Sequence, residues 1–206
     1  MQGTRCLPAK AEAPTAPGTH LVSDICQRPP ALPCGLPAAG YLAPLGSYIP
    51  TREGWLYLAA VLDLFSRSIL GWKLADSLHA EVVTGALHRA LDTGIVAPHA
   101  LFHSDRGCQY SATSSRALLA RHHLRQSMSA AGYCYDNAFA ESAFASLKTE
   151  ILDDGAPFAS NASATTAVFD YLETFYNRKR RHSSLGYQSP HAFLHSYFQN
   201  QKPTLN

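Results

Sequence analysis

Residues 53–72 read EGWLYLAAVLDLFSRSILGW, and the fold turns on how that run is taken. Trp55 to Phe65 is apolar and aromatic-rich and reads as a β-strand. Ser68 to Leu74 reads as a second strand. Upstream, Pro50-Thr51-Arg52-Glu53-Gly54 has turn chemistry, and Ser47-Tyr48-Ile49 before it is a short strand. The three form an antiparallel meander whose first strand is incomplete.

Outward from the meander the periodicity changes. In His79 to Leu91 the apolar residues Val82, Val83, Ala86, Leu87, Ala90 and Leu91 recur at helical spacing, and Gly94 stops the helix. Ala100 to Ser104 is a short strand, Thr113 to Leu124 a helix and Arg125 to Ser129 a brief strand. Asp136 to Leu152, Ala162 to Tyr176 and Pro190 to Phe198 are further helices, the last with proline in its first turn. Strand meander followed by βα alternation predicts an α/β fold: a mixed five-stranded sheet with helices on both faces.

Composition excludes several classes. Of the 206 residues 46% are hydrophobic and 16% charged, enough for a core and unlike a disordered tail. A formal net charge of +2 gives no argument for nucleic-acid binding, so any such argument must rest on local clustering. The longest apolar stretch, Leu56 to Leu62, falls far short of the ~20 residues of a membrane span. With no secretory pattern at the start, a cytoplasmic protein without membrane contact is expected. Five widely spaced cysteines, without a C-x-x-C pair, predict free thiols, and Cys108 and Cys134 are expected as small buried or loop residues. Nine of the thirteen prolines lie at or before Pro50. The expected organisation is a proline-rich, loosely packed leader over 1–47, a core domain over 48–195 and a tail over 196–206.

Three stretches carry candidate chemistry. His103-Ser104-Asp105-Arg106-Gly107 ends a strand, and Asp105 stands where that strand gives way to a glycine-containing loop, the usual place for a functional group in an α/β sheet. The same carboxylate is equally suited to capping the turn or pairing with Arg106. In YDNAFAESAFASLKTE, residues 135–150, Asp136 or Asn137 can open a helix, and Asn137, Glu141 and Lys148 share one face. A solvated charged face would have the same spacing. Together, Asp105 and Glu141 could supply paired oxygen ligands to Mg²⁺ or Mn²⁺, with Lys148 offered to a phosphodiester. The third stretch sets the four cations Arg178, Lys179, Arg180 and Arg181 among the aromatics Phe175, Tyr176 and Tyr187, a pattern for holding phosphates or a solvated basic helix end.

Four segments in order, EGWLYLAAVLDLFSRSILGW (53–72), HSDRGCQY (103–110), YDNAFAESAFASLKTE (135–150) and FYNRKRRHSSLGYQSP (175–190), resemble the retroviral-integrase-like core of bacterial insertion-sequence transposases, the second-frame protein of two-frame elements. The resemblance implies an RNase H-like fold, a DDE carboxylate triad, two divalent metals (Mg²⁺ or Mn²⁺), and cutting and joining of DNA in transposition and integration. It makes Asp105 the second acid and Glu141 the third, with 35 residues between them, and Lys148 the cation seven positions on. Implied partners are terminal-repeat and target DNA, further copies of the chain on that DNA, and the element's first-frame protein.

The chain departs from the pattern at the first acid. The family places it in a T-D-I-T-Y-I strand before the P-T-x-E-G-W turn, and here Leu45 occupies that position. The resemblance therefore implies impaired chemistry, or an inactive DNA-binding or oligomerising remnant. Asp63 is the nearest other acid. If the hairpin turns at residues 52–53, Asp63 falls opposite Leu42, three residues from Leu45 and on the wrong parity. The switch from proline-rich text to family text at Tyr48 suggests that residues 1–47 derive from a different reading frame or start.

Overall fold

The computed structural model describes residues 40–77, 79–105, 107–128, 138–152 and 155–200, with residues 138–141 described by their backbone alone. The chain divides into two units, 1–36 and 37–206, and the first lies outside the described residues. The second opens with strands β1 (Tyr41–Thr51), β2 (Gly54–Asp63) and β3 (Ile69–Ala75), then helix α1 (Ala80–Asp92) and strand β4 (Leu101–Ser104). Short helix α2 (Cys108–Ser111), helix α3 (Thr113–Arg121) and strand β5 (Arg125–Met128) follow, then α4 (Ala138–Ile151), α5 (Asn161–Phe169) and α6 (Pro190–Asn200). The strands lie in the order β3-β2-β1-β4-β5, antiparallel from β3 to β1 and parallel from β1 to β5.

The expected meander is present because side chains on a strand alternate between faces and both faces here find an apolar layer. Leu56, Leu58, Ala60 and Leu62 pack with Ala43, Leu45 and Ile49 against Phe144 and Leu147 of α4 and Val168 of α5. Ala59 and Val61 pack with Leu42, Leu70 and Phe102 against Val82, Val83, Ala86 and Leu87 of α1 and Leu118 of α3. Each fully buried leucine in these layers contributes about 1.5–3 kcal/mol. At Gly71 a Cβ would lie 2.4 Å from Ala86 O, so the missing side chain is what lets α1 sit down on β3.

The first strand is longer than the sequence suggests. It runs from Tyr41 rather than Ser47, through Pro44 and Gly46, because β2 supplies a ladder partner at every position from Leu42 to Thr51. β4 pairs with β1 at Tyr41 and Leu42, so Pro44 lies beyond the stretch of β1 paired on both sides, where proline is tolerated. Tertiary pairing overrides local propensity here. The helix expected over Ala162–Tyr176 also differs: its α-helical part ends at Phe169, and Asp170–Tyr176 continue as a wider π-type helix. That widening turns Tyr171, Leu172 and Tyr176 all into the core.

The C-terminal segment closes the β3 edge. Trp72 Nε1 donates to Glu173 at 2.8 Å. Asn177 accepts the Ile69 N–H on Oδ1 and donates from Nδ2 to the Ile69 carbonyl, both at 2.9 Å, so one side-chain amide satisfies the edge as a neighbouring strand would. Phe65, in the β2–β3 turn, packs edge-on against Phe193 and Tyr197 of α6 at 5.2 and 5.0 Å.

Candidate nucleic-acid and metal site

β4 ends at Ser104, and Asp105 follows it, exposed to solvent, with Oδ1 accepting the Gly107 N–H at 2.8 Å. The turn-capping role is thus real, and it leaves the carboxylate at the carboxyl end of a parallel strand. The β1–β4 register pairs Tyr41 with Leu101 and Leu42 with Phe102. Extended three residues beyond its last pair, that register would bring Leu45 level with Asp105, just past the end of β4. The buried Tyr110 has its hydroxyl 3.7 Å from where a Cβ on Gly46 would stand, and its proton is held more tightly by burial first and by the Asp105 charge second. Leu45 itself is 2% exposed.

Asp63 sits away from the position of the missing acid. It pairs with Leu42, as the hairpin count predicts, and shares the parity of Ala59 and Val61, opposite in face to Leu45. Both oxygens are committed to the β2–β3 turn: Oδ2 accepts the Ser66 N–H at 2.9 Å and the Ser66 hydroxyl at 2.5 Å, and Oδ1 accepts the Phe65 N–H at 3.3 Å. Its burial pushes the carboxyl pKa up, against the opposing pull of those bonds and of Arg67.

Helix α4 packs on the Leu45 face of the sheet. Phe144 and Leu147 are buried in the layer that holds Leu45, and Glu141 lies one turn before Phe144 on the same helix. The side chain of Glu141 and all of Asn137 lie outside the described residues. Lys148, seven positions beyond Glu141, is half-buried in the last turn.

In the basic segment Arg178, Lys179 and Arg181 are exposed, whereas Arg180 is engaged. Its Nε and Nη2 donate to Glu150 Oε1 at 3.0 and 2.8 Å, and its guanidinium lies 5.8 Å from the Tyr176 ring centroid. Tyr171 donates its hydroxyl to Glu150 Oε2 at 2.8 Å. Burial alone would raise the Glu150 pKa, but the bonds from Arg180 and Tyr171 bring it below the ordinary value. His182 packs edge-on against Tyr176 at 5.2 Å, and its pKa is lowered to about 4, by burial first and then by the Arg180 and Arg67 charges. Cys108, expected as a small buried or loop residue, opens the short helix α2 and is exposed and free.

Residues 40–134 and 122–190 each match a family described as integrase core domain. The transposase InsF of insertion sequence IS3A from Escherichia coli (strain K12) is 46% identical over 147 residues, covering 71% of this chain and 51% of that protein. This chain belongs to the integrase-core family of insertion-sequence transposases. The transposase of insertion sequence element IS904 from Lactococcus lactis subsp. lactis (strain IL1403) is 41% identical over 147 residues, 71% of this chain and 58% of that protein. The chain spans about half the length of these curated relatives.

Solved structures agree on the fold of the integrase core. The HTLV-2 integrase catalytic core domain in complex with magnesium (trimeric form) superposes with a TM-score of 0.56 at 10% identity, over 77% of this chain and 98% of that one. The simian T-cell lymphotropic virus intasome, in complex with PP2A regulatory subunit B56 gamma, gives 0.59 at 11% identity, over 84% and 58%. The RNase H-like fold expected from the sequence is the one present.

A DDE metal centre needs carboxylate oxygens converging from β1, the end of β4 and the helix after β5. Of these, β1 presents buried aliphatic carbon at Leu45. Among the described residues no three His, Cys, Asp or Glu side chains gather as a metal site. Among the described residues, β1 supplies no carboxylate to such a set. Sequence reasoning left Glu150, Tyr171, Tyr110 and His182 without roles. All lie within or beside the quoted motifs, but only three-dimensional neighbours assign their contacts.

Proposed function

We propose that this chain is the DNA-handling core of an insertion-sequence transposase, serving transposition and integration, and that Leu45 impairs its metal-dependent cutting and joining. One observation supports the reading: the parallel β1–β4 register at Tyr41–Leu101 and Leu42–Phe102, which, extended three residues, brings Leu45 rather than a carboxylate level with Asp105. Asp105 and Glu141 remain as the catalytic and metal-binding pair, a donor set short by one for Mg²⁺ or Mn²⁺. The solved magnesium complex of the HTLV-2 core supports that choice of ion. Asn137, Lys148, Arg178, Lys179 and Arg181 are assigned to DNA. Arg180 is assigned to ordering the segment that presents its neighbours, since Glu150 already holds it.

The partners are terminal-repeat and target DNA and further copies of the chain, the HTLV-2 core having been solved in dimeric and trimeric forms. The element's first-frame protein is a third partner, proposed on the family's two-frame organisation alone. Among the described residues no helix is long and apolar enough to cross a membrane. Because the Leu45 position is well packed, a second reading also has support: a non-catalytic form that enters mixed assemblies with intact transposase. Strand transfer on a terminal-repeat oligonucleotide with Mg²⁺ or Mn²⁺ tests both, comparing the unaltered chain with Leu45→Asp. Losing a direct metal ligand should cost at least the ~10–100-fold typical of losing a supporting one. The unaltered chain is expected to bind without appreciable joining, and robust joining by it would overturn the impairment.

A further inference from the structure

Beside the basic segment an open groove of about 610 Å³ is lined by Glu150, Tyr171, Phe175, Arg180 and Arg181. That falls within the ~300–1,000 Å³ of small-ligand sites. Its floor is aromatic: Phe175 is 42% exposed, tilted against the Tyr171 ring at 5.6 Å between centroids. Its polar wall is fixed, since Tyr171 and Arg180 both bond Glu150. The Phe175 carbonyl accepts the N–H groups of Lys179 and Arg180 at 2.7 and 2.8 Å, tying the ring's backbone to the start of the cationic run. The charges of Glu150 and Arg180 cancel, leaving the exposed Arg181 as the groove's net positive charge.

A groove with an exposed ring, one uncompensated guanidinium and room for a planar group fits a nucleotide whose base is not in a duplex. Bases within a duplex are stacked on each other and cannot offer a face to Phe175. An unpaired base can, and each such stack on an aromatic side chain is substantial and tolerant of sequence. We propose that this groove takes one unpaired nucleotide of a DNA strand, its base stacked on Phe175 and its phosphate held by Arg181. The assignment rests on the DNA reading above and adds to it a strand form and a stacking residue.

Fluorescence anisotropy with the full chain tests it, using labelled oligothymidylate and a blunt duplex of equal length. Phe175→Ala should weaken oligothymidylate binding about 5- to 150-fold while leaving duplex affinity unchanged, and Phe175→Trp should restore it. Arg181→Ala should reduce the slope of log affinity against log salt by about 0.7 on the single strand. Oligothymidylate binding by Phe175→Ala as tight as that of the unaltered chain overturns the assignment. If duplex binding persists in that case, the groove assignment fails alone. If the unaltered chain binds neither probe, it fails together with the DNA reading.

Discussion

Leu45→Asp puts the family's missing carboxylate back where the register places it, and its effect on stability can be worked out in advance. Leu45 is 2% exposed and packs in the layer of Phe144 and Leu147. Truncating such a leucine costs about 2–5 kcal/mol, and burying a carboxylate without a partner adds several kcal/mol more. Against a typical total of 5–15 kcal/mol, a loss of about 5 kcal/mol is large. For a chain of this size each kcal/mol moves Tm by about 2–4 °C, so the variant should melt ~10–20 °C lower without metal. A metal that binds only the folded state gives back about 2.7 kcal/mol at one hundred times its Kd, or ~5–10 °C. Thermal melts with and without Mg²⁺ should show that recovery for Leu45→Asp and not for Leu45→Asn, which has the same shape without the charge. Equal responses from the two variants, or an equal response from the unaltered chain, would refute the placement of position 45 beside Asp105.

Asp63→Ala strands the Ser66 and Phe65 N–H groups inside the turn and should cost about 2–4 kcal/mol in chemical denaturation, while metal affinity stays as it was. Asn177→Ala opens the β3 edge by removing both bonds to Ile69 and should cost about 1–3 kcal/mol, read in the same assay. The His182 pKa lies below its unfolded value, so the unfolded chain takes up more protons between pH 6.5 and about 4. Stability is therefore full above pH 6.5 and falls as pH drops through that window. His182→Gln should flatten that part of the stability–pH curve. Glu150, whose pKa is also lowered, adds a loss at still lower pH that Glu150→Gln should remove.

Much of this was legible in the chain itself. The continuous apolar, aromatic-rich run from Trp55 and the 3–4 spacing in Val82 to Ala90 each point to one kind of element, and both elements are present. The pairing of Asp63 with Leu42 follows from the position of the hairpin turn. What failed was local propensity at Pro44 and Gly46, because a strand held by a long partner does not need favourable residues of its own. The π-type helix at Asp170–Tyr176 was equally invisible, since its widened turn is set by which rings fit the core. For the site, the motifs named Asp105 and the basic run, but not that Arg180 is held by Glu150. Such a pair, 30 positions apart, becomes visible only when α4 and the C-terminal segment are seen side by side.

On this proposal position 45 is the vacant first position of a carboxylate site built around Asp105. Calorimetric titration with Mn²⁺ tests it most directly, comparing the unaltered chain, Leu45→Asp and Leu45→Asp combined with Asp105→Asn. The expected result is weak binding by the unaltered chain, at least about tenfold tighter binding by Leu45→Asp, and a return to weak binding in the double variant. Tight Mn²⁺ binding by the unaltered chain, or a gain from Leu45→Asp that survives Asp105→Asn, would contradict it.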